Sequence, residues 1–139
     1  MKHNLILKII AKFIVPVILL FALYVQFHGD FGPGGGFQAG VIFSAGFILY
    51  TLVFGLDSAE RIIPGWLLRT FASLGVLIYT GTGFVTLFEG GRFLDYSVLA
   101  TTPVGGQHLG ILIIEAGVGM TVASVMLLIF FAFAGRNRP

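Results

Sequence analysis

Pro33-Gly34-Gly35-Gly36-Phe37-Gln38-Ala39-Gly40 separates two apolar runs, each long enough to cross a lipid bilayer. A helix rises about 1.5 Å per residue, so roughly 20 apolar residues span a hydrocarbon core of about 30 Å. Glycine and proline at this density cannot stay helical. Non-helical backbone leaves N–H and C=O groups for which lipid has no partner. The segment therefore belongs at the membrane boundary, against protein, or beside a water-filled path. Outward from it, four spans are expected, at about residues 5–27, 37–56, 66–88 and 109–134. The fold class is all-α, an integral membrane protein with four transmembrane helices, and residues 1–139 form one membrane domain.

Composition agrees. The chain has 139 residues, 57% hydrophobic and 10% charged, with a mean hydropathy of +1.00. A soluble domain carries about 25% charged residues, so this chain cannot clothe a globular surface. Cysteine is absent, which excludes disulfides, zinc-thiolate sites and iron–sulfur ligation from this chain alone. Basic residues cluster at the two ends: Lys2, Lys8 and Lys12, then Arg136 and Arg138. The middle connection carries Arg61, with Arg69 just inside the next span, whereas the first connection has no Lys or Arg and the third only Arg92. The positive-inside rule then puts both termini and the 57–65 connection in the cytoplasm. No small-residue cleavage site follows the first apolar run, so it reads as an uncleaved anchor. Pro16 removes one hydrogen bond of that helix and should kink it. The same charge distribution argues against a nucleic-acid partner.

Small residues recur at helical spacing: Gly36, Gly40 and Ser44 in the second span, Gly75, Thr82 and Thr86 in the third, Gly119 and Ala123 in the fourth. Between membrane helices such stripes mark close packing. Their number implies neighbours beyond this chain.

Candidate functional residues are few. Glu115 falls within the fourth span, flanked by apolar residues. A carboxylate there costs about 2.5–3.5 kcal/mol on insertion scales unless it faces protein or water. An ion-pathway role and a structural hydrogen bond to another helix are both open. His108 lies two turns earlier on the same face, roughly 10 Å along the axis, so the two do not touch directly. His28 and Asp30 put an imidazole and a carboxylate at the lip of the glycine-rich turn, two ligands without a third, which makes a poor metal site. Gly34-Gly35-Gly36-Phe37-Gln38-Ala39 matches a dinucleotide fingerprint in letters only, because that motif needs a preceding strand in a soluble βαβ unit. Free N–H groups at the start of the second helix, with Gln38 in its first turn, can hold a polar group. The same turn can equally be a packed corner in which Phe37 docks on a partner. No catalytic constellation, metal site or cofactor is expected.

His28-Gly29-Asp30-Phe31-Gly32-Pro33-Gly34-Gly35-Gly36-Phe37-Gln38-Ala39-Gly40 closely resembles the signature of the B subunit of Mrp-type multisubunit sodium/proton antiporters, the MnhB family. Gly106-Gln107-His108-Leu109-Gly110-Ile111 and Ile114-Glu115-Ala116-Gly117-Val118-Gly119 resemble that family's last helix. The resemblance implies a small, non-enzymatic subunit of a hetero-oligomeric antiporter in the prokaryotic cytoplasmic membrane. Its partners would be the other Mrp-type subunits, and Na+ and H+ the ions the complex moves. It singles out Pro33, Phe37 and the intervening Gly34, Gly35 and Gly36, followed by His28, His108 and Glu115. Related subunits occur in membrane-bound hydrogenases and similar redox-driven complexes, so the parent complex stays open, as does a purely structural spacer role.

Overall fold

The computed structural model describes residues 2–29 and 32–136, with side chains from Leu5 onward. Asp30 and Phe31, inside the glycine-rich turn, and Arg138 lie outside the described residues. Five α-helices follow one another: α1 (Lys2–His28), α2 (Gly36–Phe54), the short α3 (Leu56–Ile62), α4 (Gly65–Phe88) and α5 (Pro103–Ala134). A single 3-10 turn, Tyr96–Val98, interrupts the connection between α4 and α5. Four helices, α1, α2, α4 and α5, are long and apolar enough to cross a membrane.

The spans differ from expectation at two boundaries. α5 begins at Pro103 rather than Leu109, because Thr102 caps it: its hydroxyl accepts from the Gly105 N–H at 3.2 Å, and proline takes the first helical position. The expected 57–65 loop is mostly the helix α3, started beyond Gly55 (φ +91°) and stopped before Pro64. α1 remains helical through Pro16.

The helices stand in a curved row, α1–α2–α5–α4, with α1 reaching α5 only at the margin. α1 turns a narrow stripe toward α2: Ala11, Val15, Ala22 and Val25 are buried while most of its large apolar side chains are exposed. Gly46 of α2 admits Ile18 and Leu19 of α1. The α4–α5 pair is antiparallel and meets at Gly75, Gly117 and Thr121. The Thr121 hydroxyl donates to the Gly117 carbonyl at 2.9 Å and lies 3.5 Å from the Ala72 carbonyl across the interface. The stripe residues Gly36, Gly40, Ser44, Gly75, Thr82, Thr86 and Gly119 are buried, and Ala123 is half-buried.

At the α3 end, Ala59, Leu68, Leu127 and Phe131 form a side-chain core, covered by Phe47, Leu56 and Phe130 among others. At the other end the α4–α5 connection folds back onto its helices. Leu94 N–H donates to the Thr86 hydroxyl at 3.0 Å, which itself donates to the Gly83 carbonyl at 2.9 Å. Phe93 seats on Gly83, and Tyr96 on Gly106 and Gly110. Asp95 begins the 3-10 turn, accepting from the Ser97 hydroxyl at 2.5 Å and the Ser97 N–H at 3.3 Å. These bonds hold its carboxyl below the ordinary value of 3.8, the Ser97 hydroxyl contributing most.

Candidate functional site

The glycine-rich turn is bound back onto the end of α1. Gly32 N–H donates to the His28 carbonyl and Gly35 N–H to the Val25 carbonyl, both at 3.1 Å. Gly35 takes φ +119°, a conformation open to glycine and not to ordinary side chains, and from there the chain enters α2. A Cβ at Gly34 would lie 2.8 Å from the Val25 carbonyl, so the turn lies flat against α1. No side chain caps α2 at Gly35.

Glu115 is brought to this turn from α5. A Cβ placed on Gly29 would lie 2.6 Å from its Oε2 and closer still to Oε1; one on Gly35 would lie 2.9 Å from Oε1. Gly36 faces the Glu115 backbone, and a Cβ there would overlap the Glu115 carbonyl. Gly29 and Gly35 therefore make the seat that the carboxylate occupies, and Gly36 lets the α5 backbone approach beside it. The seat adjoins the N-terminus of α2, whose unsatisfied N–H groups and positive dipole end attract negative charge.

One turn deeper, Gln26 of α1 sets its Oε1 against Gly119, and among the described residues its buried Nε2 finds no hydrogen-bond partner. Gln26 and Ser124 line a cleft of about 600 Å³ on the concave side of the row, walled elsewhere by apolar groups such as Phe43, Leu67, Phe71, Met120 and Leu127.

Of the residues singled out in the sequence, Gly34, Gly35, Gly36 and Glu115 come together. His28 is half-buried beside them, its ring 5.2 Å from that of Tyr24 and next to Gly32. His108 lies on α5 with Glu115 and is exposed. Pro33, Phe37 and Gln38 point outward, Phe37 with 64% of its surface free. Among the described residues no three His, Asp or Glu side chains gather to hold a metal ion. Two participants escaped sequence reasoning. Gly29 carried a signal in its place beside the glycine run, and Gln26 in being a lone amide within an apolar span.

Four membrane-length helices with a carboxylate held under a glycine turn make a multi-pass membrane protein. The particular family follows from comparison. Residues 6–128 match the model described as a domain related to the MnhB subunit of Na+/H+ antiporter, and the chain belongs to that family. Proteins of Staphylococcus aureus strains Newman, JH1 and COL, each described as "Putative antiporter subunit mnhB2", are 33% identical to it over 97% of this chain and 98% of their own length.

Proposed function

We propose that this protein is a small membrane subunit of a multisubunit Na+/H+ antiporter, which helps assemble the complex and lines a cation/proton path at the Glu115 seat. In this reading residues 1–139 are one membrane domain without a catalytic site of its own. Both termini and α3 face the cytoplasm, and the membrane is the prokaryotic cytoplasmic one. The partners are the other Mrp-type subunits, and the conducted ions are Na+ and H+.

The observation that carries the reading is the seating of a carboxylate from a membrane-length helix on Gly29 and Gly35 of the turn between α1 and α2, with Gly36 against its backbone. An ionisable group among apolar helices is expensive and by default functional. Family membership supports Na+ and H+ as the ion class. Pro33, Phe37 and Gln38, exposed around the seat, are assigned to the contact with neighbouring subunits, and His28, Asp30 and His108 to its polar surroundings.

Purification of the native complex through a tag on this chain, followed by assay in proteoliposomes with a proton gradient and added sodium, tests the reading. Co-purified antiporter subunits and sodium-dependent collapse of the gradient are expected. A complex carrying iron–sulfur or nickel subunits would move the chain into a redox-driven pump. Undiminished antiport after deletion of the gene would make it a spacer at most.

A further inference from the structure

The cleft on the concave side is long and thin. Its α5 wall runs from Leu112 to Leu127, a rise of about 22 Å. Toward the glycine-rich turn Leu23 and Gln26 of α1 close it, and toward α3 Ile63 does. Its volume is about 600 Å³. A helix about 10 Å across would need roughly 1,700 Å³ over the same length, so the cleft is too thin to enclose a partner's helix. A single hydrocarbon chain fits. A bilayer core of about 30 Å is two chains deep, so one chain reaches about 15 Å.

The α1 face that lines the cleft turns basic toward α3. Lys8 precedes Gln26 by eighteen residues, five full turns at about 3.6 residues each, and Lys12 by fourteen, close to four turns. Both lysines therefore stand on the cleft face of α1, and both are exposed. α1 contains no acidic residue over Lys2–His28. The heights also correspond. Gly46 of α2 sits beside Ile18 and Leu19 of α1, and its neighbour Phe47 covers Leu127. Lys12 lies about 10 Å beyond that level toward α3, at the end of the cleft closed by Ile63. It also lies inside the membrane-length segment that begins at Leu5. An ammonium there reaches along its helix toward the N-terminus of α1 and is stabilised by an anion.

We infer that the cleft binds an anionic phospholipid of the surrounding bilayer, with an acyl chain against α5 and the headgroup phosphate held by Lys8 and Lys12. The apolar wall accepts any chain; the charge of the two lysines selects an anionic headgroup over a neutral one. α1 and α4 stand at opposite ends of the row, and the chain between them joins the two ends. The inference goes beyond the ion path and does not depend on it: the site is the same in an antiporter, a redox-driven complex or a spacer.

The test uses the complex purified through a tag on this chain and placed in phosphatidylcholine nanodiscs. These contain, at equal mole fraction, either phosphatidylglycerol or phosphatidylcholine with a diazirine in one acyl chain. After illumination, adducts on this chain are mapped by mass spectrometry. Phe71 and Met120 report the cleft. Val17, 64% exposed, reports the opposite face of α1, nine residues or two and a half turns from Gln26. The phosphatidylglycerol probe should label Phe71 and Met120 at least about fivefold more than the phosphatidylcholine probe, the factor that one lysine gives near an anionic lipid. Val17 should show no such preference. Lys8→Gln combined with Lys12→Gln should abolish the preference, and Ala116→Phe, which fills the cleft, should remove the cleft adducts with the lysines intact. Equal labelling of the cleft by the two probes in the wild-type complex would overturn the inference, leaving an unselected lipid there. Absence of cleft adducts from either probe would overturn it as well, with a neighbouring subunit as the occupant. Both of those outcomes are read on the wild-type complex, so poor folding of a variant does not blunt the test.

Discussion

The two ends of the helix row hold together by different means. Near α3 the contacts are between side chains: Leu127 is 1% exposed and packs with Leu68, Ala59 and Phe131. Around Glu115 the contacts are between backbones, with Gly36 against the Glu115 carbonyl, Gly40 against the Gly119 carbonyl, and Gly29 and Gly35 against the carboxylate. Large side chains deform and repack when perturbed, whereas two backbones in contact have nothing to yield. In lipid, where apolar surface alone gives helices no reason to associate, close backbone approach provides the dispersion contacts. The glycine end is thus the more exacting one, and it is where the ionisable group sits.

The contrast breaks most sharply at Gly36. Leucine there has no space against α5, so Gly36→Leu should separate α2 from α5 and remove this subunit from the purified complex; recovery at the wild-type level would show that the crossing is not required. Gly29→Ala is smaller in volume and meets both the carboxylate and the Gly35 Cα, 2.7 Å from the added Cβ. Assembly should survive while Glu115 is displaced, with antiport reduced on the order of tenfold, the effect of about 1.4 kcal/mol on a rate. At the opposite end, Leu127→Ala should open a cavity and cost about 2–5 kcal/mol. That loss is read as an earlier thermal unfolding of the purified complex, with antiport at low temperature retained. If Leu127→Ala silenced antiport and Gly29→Ala did not, the division between the two ends would be wrong.

The smallest effect belongs to the α4–α5 connection. The carboxyl of Asp95 is held below its ordinary value chiefly by the Ser97 hydroxyl, so the folded form binds its proton less readily than the unfolded one. Its contribution to stability is complete above the ordinary value of 3.8 and is lost as pH falls through the lower, folded value. Thermal unfolding of Asp95→Asn compared with wild type should show a slight difference at neutral pH that vanishes in strong acid.

Much of this architecture is legible in the sequence, for identifiable reasons. Span number follows from hydropathy, and the small-residue stripes from 3.6-residue spacing, because both are properties of single helices. The partners of the stripes are not. Gly36 and Gly119 each announce a contact, but that they share one depends on the order α1–α2–α5–α4, whereas chain order alone predicts the neighbours α1–α2, α2–α4 and α4–α5. The same limit hid the seat of Glu115. Periodicity relates it to His108 on its own helix, whereas Gly29 and Gly35 reach it from residues distant in sequence. The early start of α5 was obscured by two glycines at 105 and 106, which read as loop; Gly106 lies against Tyr96 and Ser97, and Gly105 beside the capping Thr102.

The central claim is that the carboxylate on the glycine seat takes part in ion exchange and is not only a packing element. Glu115→Gln preserves shape and removes the charge, which makes it the most direct test. Sodium-dependent collapse of a proton gradient in proteoliposomes should be lost although all partner subunits co-purify at wild-type ratios. Wild-type exchange by the fully assembled Glu115→Gln complex would contradict the account and leave the seat as structure alone.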